Sequence, residues 1–232
     1  MRIAIIGTGY VGLVSGVCLS DFGHDVTCID KAVDKIAQLN RGEVPIFEPG
    51  LSELIQKNVA AGRLHFTTEI ETPVAAADVV FLAVGTPSRK SDGHADLTYV
   101  FAAAREVAAA VRGFTVIVTK STVPVGTGDQ LERIIREANP DADVAVVSNP
   151  EFLREGAAID DFMAPDRVVV GMNDDRARTI MADVYGALDP VRHPVLFTSR
   201  RTAELTKYAA NAFLALKLAY INEIADLCEQ VG

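Results

Sequence analysis

The sequence has little of what marks a secreted, membrane or nucleic-acid-binding protein. Its 232 residues include three cysteines, Cys18, Cys28 and Cys228, an odd number with no CxxC or Cys/His spacing. They supply neither a disulfide framework nor a metal ligand set, and they suit a reducing, cytoplasmic compartment. No uninterrupted apolar run reaches the roughly 18 residues that a membrane span requires. The opening MRIAIIGTGYVG lacks the extended apolar region of a signal peptide. Positive charge is scarce: 22 Lys and Arg stand against 31 Asp and Glu, a net charge of −9. That balance disfavours nucleic acid or an anionic membrane as partner. It leaves room for an anionic small ligand, which backbone amides and a few placed cations can bind locally. There is no internal repeat and no low-complexity segment.

What is present is ordinary globular material, 49% hydrophobic and 23% charged. The length allows one large domain or about one and a half. A chain of this size buries roughly 70–75% of its unfolded surface and needs no covalent staple. Strand-like and helix-like patterns alternate from the first residue. Strands are predicted at Arg2–Gly7, Asp25–Asp30, Asp78–Val84, Thr115–Thr119, Asp143–Val147, Arg167–Gly171 and, short and last, Val195–Phe197. Helices are predicted at Tyr10–Phe22, Asp34–Asn40, Pro49–Ala61, Leu97–Arg112, Gly128–Ala138 and Asp174–Leu188. The apolar run DVVFLAV is that of a strand buried on both faces. The alternation predicts an α/β fold: a doubly wound, mostly parallel sheet of Rossmann type over residues 1–198.

The end of the chain differs. From Arg200 to Val231 there is neither proline nor glycine, and Leu205, Tyr208, Ala212, Phe213, Leu216, Tyr220, Ile224 and Leu227 form a drifting stripe. A helix of that length far exceeds the globular average of about 11–12 residues. Residues 199–232 are therefore expected to link to a further domain or to pack on a second subunit. The whole reads as a piece of a longer protein.

Gly7-Thr8-Gly9-Tyr10-Val11-Gly12 is a G-x-G-x-x-G match after a predicted strand and at the start of a predicted helix. There Gly7 permits the tight turn, Gly9 lets a pyrophosphate approach, and Gly12 allows close helix–strand packing. Asp30 closes the second strand, where a carboxylate accepts ribose hydroxyls and repels a 2′-phosphate, favouring NAD over NADP. Lys31 and Lys35, just beyond it, weaken that preference. Thr86, in the Gly-Thr-Pro-Ser loop after the apolar strand, either offers its hydroxyl to a cofactor or sits in a plain turn. Ser121 and Thr122, in KSTVPVGT, either form a polar ledge at a strand end or cap the next helix. In NPEFLREG, Glu151 and Glu155 would share a face if the segment were helical, and paired carboxylates can divide their roles; the alternative is solvated helix charge. On the long helix Glu204, Lys207 and Asn211 fall at i, i+3 and i+7. A lysine and an amide on one face can stabilise an oxyanion; otherwise Glu204 and Lys207 form an exposed pair worth little.

Taken together, GTGYVG, VGTPS with DGHADL, KSTVPVGT, NPEFLREGAAIDDFMAPDRVVVG and ELTKYAANAFLALKLAYINEIADLCEQVG resemble the UDP-glucose/GDP-mannose dehydrogenase family. The likeness runs in order from Met1 to Gly232. It implies a four-electron oxidation of a nucleotide sugar's C6 alcohol to a carboxylate with two NAD in succession, UDP-glucose becoming UDP-glucuronate. By motif position, the cofactor residues would be Gly7, Gly9, Tyr10, Val11, Gly12, Asp30, Lys35, Thr86, Ser121, Thr122 and Glu155. Glu151, Phe152, Leu153, Arg154 and Glu155 would line the sugar-nucleotide site. Thr122 and Glu151 would position water, while Lys207 and Asn211 would hold the C6 oxygen. In the family the second oxidation passes through a thioester on a cysteine in a G-x-C-x-P-K-type motif beyond the long helix. None of the three cysteines matches it, and the UDP-binding domain expected to follow is absent. The expectation is thus an NAD-binding portion, dimeric through its long helix, inactive alone. Two alternatives stand: GDP-mannose or a UDP-N-acetylhexosamine as substrate, or a non-catalytic NAD-binding dimerisation module.

Overall fold

The alternating pattern folds into eight strands and nine helices in a computed structural model describing residues 1–232. The strands are β1 (Arg2–Ile6), β2 (Asp25–Ile29), β3 (Leu64–Thr67), β4 (Val79–Leu82), β5 (Thr115–Thr119), β6 (Val144–Ser148), β7 (Val168–Met172) and β8 (Val195–Thr198). The helices are α1 (Tyr10–Asp21), α2 (Val33–Asn40), α3 (Leu51–Ala60), α4 (Glu71–Ala76), α5 (Thr98–Ala110), α6 (Thr127–Ala138), α7 (Ala158–Met163), α8 (Arg176–Val184) and α9 (Arg200–Val231). They build one sheet in the order β3-β2-β1-β4-β5-β6-β7-β8. All neighbours are parallel except β6 and β7, so β7 and β8 run against the rest. The strand order reverses between β1 and β4, and ligands of such sheets bind beyond the strand ends at that point.

Both faces of the sheet are covered, which is why its central strands are apolar throughout: β4 and β5 are buried at every position. One apolar layer packs Leu13, Val17 and Leu19 of α1 and Met181 and Val184 of α8 on the sheet, and the other packs Val107 of α5 with Leu131 and Ile135 of α6.

Three elements went unread in the sequence: β3, α4 and α7. β3 is four residues of edge strand with His65 turned outward, and α4 and α7 are single short turns of six residues each. None is long enough for periodicity to emerge. α8 stops at Val184 rather than Leu188, and α3 starts at Leu51 because Gly50 takes the left-handed conformation at its N-cap.

The long helix is buried against the body only over its first turns. Only Arg200, Ala203, Glu204 and Lys207 of α9 are buried. The apolar stripe faces away from the body, with Leu205, Phe213, Leu216 and Tyr220 all more than half exposed. The first two turns dock closely on β7, since a Cβ on Gly171 would lie 2.5 Å from the Ala203 Cβ and 2.7 Å from the Ser199 carbonyl oxygen. This docked face is charged yet fully paired. Arg200 meets Asp129 at 2.8 Å and Glu132 at 2.7 Å, Lys207 meets Glu151 at 3.0 Å, and Glu204 is held by backbone amides. Buried charge is tolerated only with such partners.

Candidate functional site

The glycine turn sits between β1 and α1, directly over the switch point. Gly7 has φ +103°, and a Cβ there would come within 2.7 Å of the Ala83 carbonyl oxygen; on Gly12 it would lie 2.0 Å from the Gly7 oxygen. Nothing but glycine closes this turn against the β4 end. At Gly9, the N-cap of α1, the same test meets nothing within 4 Å, so the backbone faces open space. α1 has no side-chain cap, which leaves its first-turn amides, those of Tyr10 and Val11 among them, to an external anion.

Beyond the turn opens a cleft of about 910 Å³ lined by Gly7, Gly9, Asp30, Lys35, Thr86 and Tyr99. Asp30 is tightly held there. Its Oδ2 accepts from the Thr8 amide (2.9 Å), the Thr8 hydroxyl (2.7 Å) and Lys35 Nζ (2.9 Å), and its Oδ1 from the Ala32 amide (3.0 Å). Burial alone would raise its pKa, but the hydrogen bonds from Ala32, Thr8 and Lys35 outweigh it and hold the carboxyl well below the usual range. The result is a fixed anion at the end of β2 with Lys35 as its partner. A cradle that excludes any Cβ, free helix amides and a preset carboxylate all fit a dinucleotide.

The loops after β4 and β5 lean on each other. The Thr86 hydroxyl donates to the Thr122 carbonyl oxygen at 3.0 Å, and the Ser121 hydroxyl to the Val84 carbonyl oxygen at 2.6 Å. Both therefore spend their protons on the protein and offer a ligand only acceptor lone pairs. The Thr122 side chain is half-buried and makes no hydrogen bond within the protein.

A second cleft, about 970 Å³, opens on the other side of these loops and is lined by Lys120, Glu151, Phe152, Arg154, Tyr185 and Lys217, among others. The segment 151–157 is not a helix. Glu151 and Glu155 consequently do not share a helical face: Pro150 and the turn at Glu155–Gly156 keep the backbone irregular. Glu151 folds inward, its Oε2 accepting from the Leu153 amide at 2.7 Å and its Oε1 meeting Lys207 Nζ at 3.0 Å. Lys207 also lies 5.2 Å from the centre of the Phe152 ring. Glu155 points to solvent, Arg154 is spent on Asp161 (2.6 Å), and Asn211 is exposed one turn beyond Lys207. Glu204 does not pair with Lys207. It caps α6, accepting from the Gly126 and Gly128 amides at 2.6 and 2.7 Å.

Two groups beside this cleft escaped notice in the sequence. Lys120, buried at the floor of the cleft, donates to Asn149 Oδ1 (3.1 Å) and the Tyr185 hydroxyl (3.3 Å), joining the ends of β5, β6 and α8. Burial and the nearby Lys207 push its pKa down to about 8 against the opposing pull of Glu151. Glu48 is buried as well and takes four hydrogen bonds from Tyr10 and the amides of Gly156, Ala158 and Ile159. Neither stands in a local pattern that marks it, because its partners lie far off along the chain.

Sheet order, glycine turn and strand-end carboxylate define a Rossmann-type dinucleotide-binding protein, with a second cleft beside the first. Family comparison sharpens this. Residues 1–189 match the NAD binding domain of the UDP-glucose/GDP-mannose dehydrogenase family and residues 201–232 its central domain. The chain belongs to that family. It is 67% identical to a UDP-glucose 6-dehydrogenase of Rhizobium meliloti and 52% identical to one of Bacillus subtilis, in each case over 100% of this chain. It covers 54% and 52% of those proteins, about half their length. Among solved structures, a GDP-mannose dehydrogenase from Pseudomonas aeruginosa in a ternary complex superposes with a TM-score of 0.95 at 38% identity. The match covers 100% of this chain and 54% of that one. A UDP-glucose dehydrogenase from Pyrobaculum islandicum gives 0.91 at 44% identity, over 96% of this chain and 51% of that one.

Proposed function

We propose that this chain is the NAD-binding portion of an enzyme that oxidises the C6 alcohol of UDP-glucose to the carboxylate of UDP-glucuronate. The observation that carries the reading is the Lys207–Glu151 ion pair (3.0 Å), whose Glu151 lines the second cleft while the buried Lys207 stands behind it. Bound NAD supplies the hydride acceptor, one molecule for each of two successive oxidations, and water supplies the second carboxylate oxygen. This chain's own residues supply cofactor binding and part of the site around C6. The α1 amides and Gly9 hold the pyrophosphate, and Asp30 with Lys35 holds a ribose. Lys207 donates to the C6 oxygen as negative charge develops, with Glu151 fixing the ammonium in place. Asn211 and the free Thr122 hydroxyl complete the set, while Phe152 and Leu153 line the sugar-nucleotide cleft.

UDP-glucose is preferred over GDP-mannose on sequence identity, 67% and 52% to UDP-glucose 6-dehydrogenases against 38% to the GDP-mannose enzyme. Residues 1–198 form the cofactor domain and 199–232 the start of a connecting region, with a second copy covering the exposed stripe of α9 in a cytoplasmic homodimer. No helix is long and apolar enough to cross a membrane. Cys18 and Cys28 lie in the core, where burial pushes both thiols up to about 12; neither can serve as a nucleophile. Cys228 is exposed on α9 but, like the other two, stands outside the G-x-C-x-P-K-type motif that the family's thioester step implies, so the 232 residues bind NAD without producing UDP-glucuronate. Calorimetric NAD titration and a product assay test this together. Turnover by the 232-residue chain refutes the division of labour, and unimpaired turnover by a Lys207→Met full-length enzyme refutes the catalytic assignment. The expected loss from that substitution is about 100- to 1,000-fold in kcat.

A further inference from the structure

The loop 151–157 has no regular structure, so side chains must set its position between β6 and α7. At one end Lys207 and the Leu153 amide hold Glu151. At the other, three distant stretches of chain converge on two groups. Tyr10 is the first residue of α1, so its backbone belongs to the glycine turn while its hydroxyl reaches the loop. That hydroxyl donates to the Glu48 carboxylate and accepts from the Gly156 amide at 3.1 Å. Glu48 Oε2 accepts from the same Gly156 amide at 2.9 Å, and its Oε1 from the Ala158 amide at 2.8 Å and the Ile159 amide at 3.4 Å. Glu48 thereby caps α7, which has no side-chain cap of its own.

We propose that Tyr10 and Glu48 are positioning residues that couple the two clefts, so that NAD bound at the glycine turn orders the loop carrying Glu151. The inference rests on the reading of that loop as part of the sugar-nucleotide site. A pyrophosphate on the first turn of α1 engages the Tyr10 and Val11 amides and holds the turn still. The Tyr10 ring, partly buried against the core, is held with it, and its hydroxyl fixes Gly156 through both direct and Glu48-bridged hydrogen bonds. The charge states suit this. Burial and the hydrogen bond to Glu48 push the Tyr10 hydroxyl up to about 12, so it remains a neutral donor. Burial opposes ionisation of Glu48, but the hydrogen bonds from Tyr10 and the three amides prevail and hold its pKa below the usual value. Coupling is reciprocal, so an ordered loop also favours NAD.

Amide hydrogen exchange on the 232-residue chain, with and without saturating NAD, tests the latch. In the wild type NAD is expected to slow exchange across 154–159 by about tenfold. Glu48→Gln replaces an acceptor oxygen with a donor and should bind NAD yet show less than about a twofold NAD-dependent change there. Tyr10→Phe leaves the Glu48 cap on Ala158 intact, so exchange across 160–163 without NAD should match the wild type while the NAD-dependent change at 154–159 is lost. Wild-type slowing retained in either variant overturns the proposal, as does its absence from the NAD-saturated wild type. Failure of the underlying reading would appear elsewhere, as unchanged turnover in a full-length Glu151→Gln enzyme.

Discussion

Replacing Glu204 should unfasten the long helix from the sheet. Its carboxylate is 3% exposed and accepts from the Gly126 amide at 2.6 Å, the Gly128 amide at 2.7 Å and the Ser148 hydroxyl at 3.2 Å. α6 has no cap from its own neighbourhood: its N-cap is Gly126, in the left-handed region at φ 92°. A residue 78 positions along the chain thus does the capping. Glu204→Ala strands two amides at a buried helix start and removes the anion that complements the helix dipole. A lost cap costs about 0.5–2 kcal/mol, and hydrogen bonds to a charged group about 1.5–3 each. Because these overlap, about 3–4 kcal/mol is a reasonable total. At about 2–4 °C per kcal/mol for a protein of this size, Tm should fall by roughly 6–16 °C. Glu204→Gln keeps one acceptor oxygen and should lose about half as much. Arg133→Ala, at an exposed position of α6 outside the α9 stripe, is the control and should move Tm by no more than about 1–2 °C. Scanning calorimetry of the three variants decides the matter. A fall of less than about 2 °C for Glu204→Ala would refute the capping role.

Thiol labelling under native conditions should modify Cys228 alone, since Cys18 and Cys28 are buried with thiols pushed up to about 12; two or three labels without denaturant would contradict the packing of α1 on β2. Asp30→Asn should weaken NAD binding about tenfold and erode discrimination against NADP, read by parallel titrations. Because the folded protein depresses the Asp30 pKa, that carboxylate's contribution to stability is present above its unfolded value of about 3.9 and fades as pH falls toward the folded one. The Asn variant should therefore lose less stability than the wild type as pH falls below about 4. Lys120 gives the same sign of pH dependence in a higher window, through relief of a burial penalty rather than a gained interaction. Its folded pKa of about 8 lies below its unfolded value, so across pH 8 to about 10.4 the unfolded chain binds more protons and the wild type gains stability relative to Lys120→Met as pH rises. Denaturant midpoints of the pair at pH 7, 8.5 and 10 would show this, and a constant difference would count against it.

Much of the scaffold follows from short stretches of chain. β1, the glycine turn and α1 are recognisable in a dozen residues because a buried strand, a turn that needs glycine and a helix start each impose local backbone demands. The strands β4, β5 and β7 announce themselves as apolar runs for the same reason. Asp30 is readable too, since its place at the end of β2 follows from the βαβ pattern.

Other features come into being only when distant segments meet. Periodicity along α9 marks Leu205, Phe213 and Tyr220 as a hydrophobic face, yet the body buries Arg200, Glu204 and Lys207 instead. Periodicity reports which residues are apolar; it cannot report that Asp129, the α6 amides and Glu151 wait to neutralise a charged face. The same holds for the irregular backbone at Glu151–Glu155, the buried Lys120 and the convergence of Tyr10, Glu48 and Gly156. The sequence by itself determined most of the sheet and the dinucleotide turn, because local sterics and apolar patterning dictate them, and its ordered motifs carried the family likeness. The tertiary structure alone decided which charges are buried and with whom they pair, because burying a charge requires partners that only the closed fold brings within 3 Å or so.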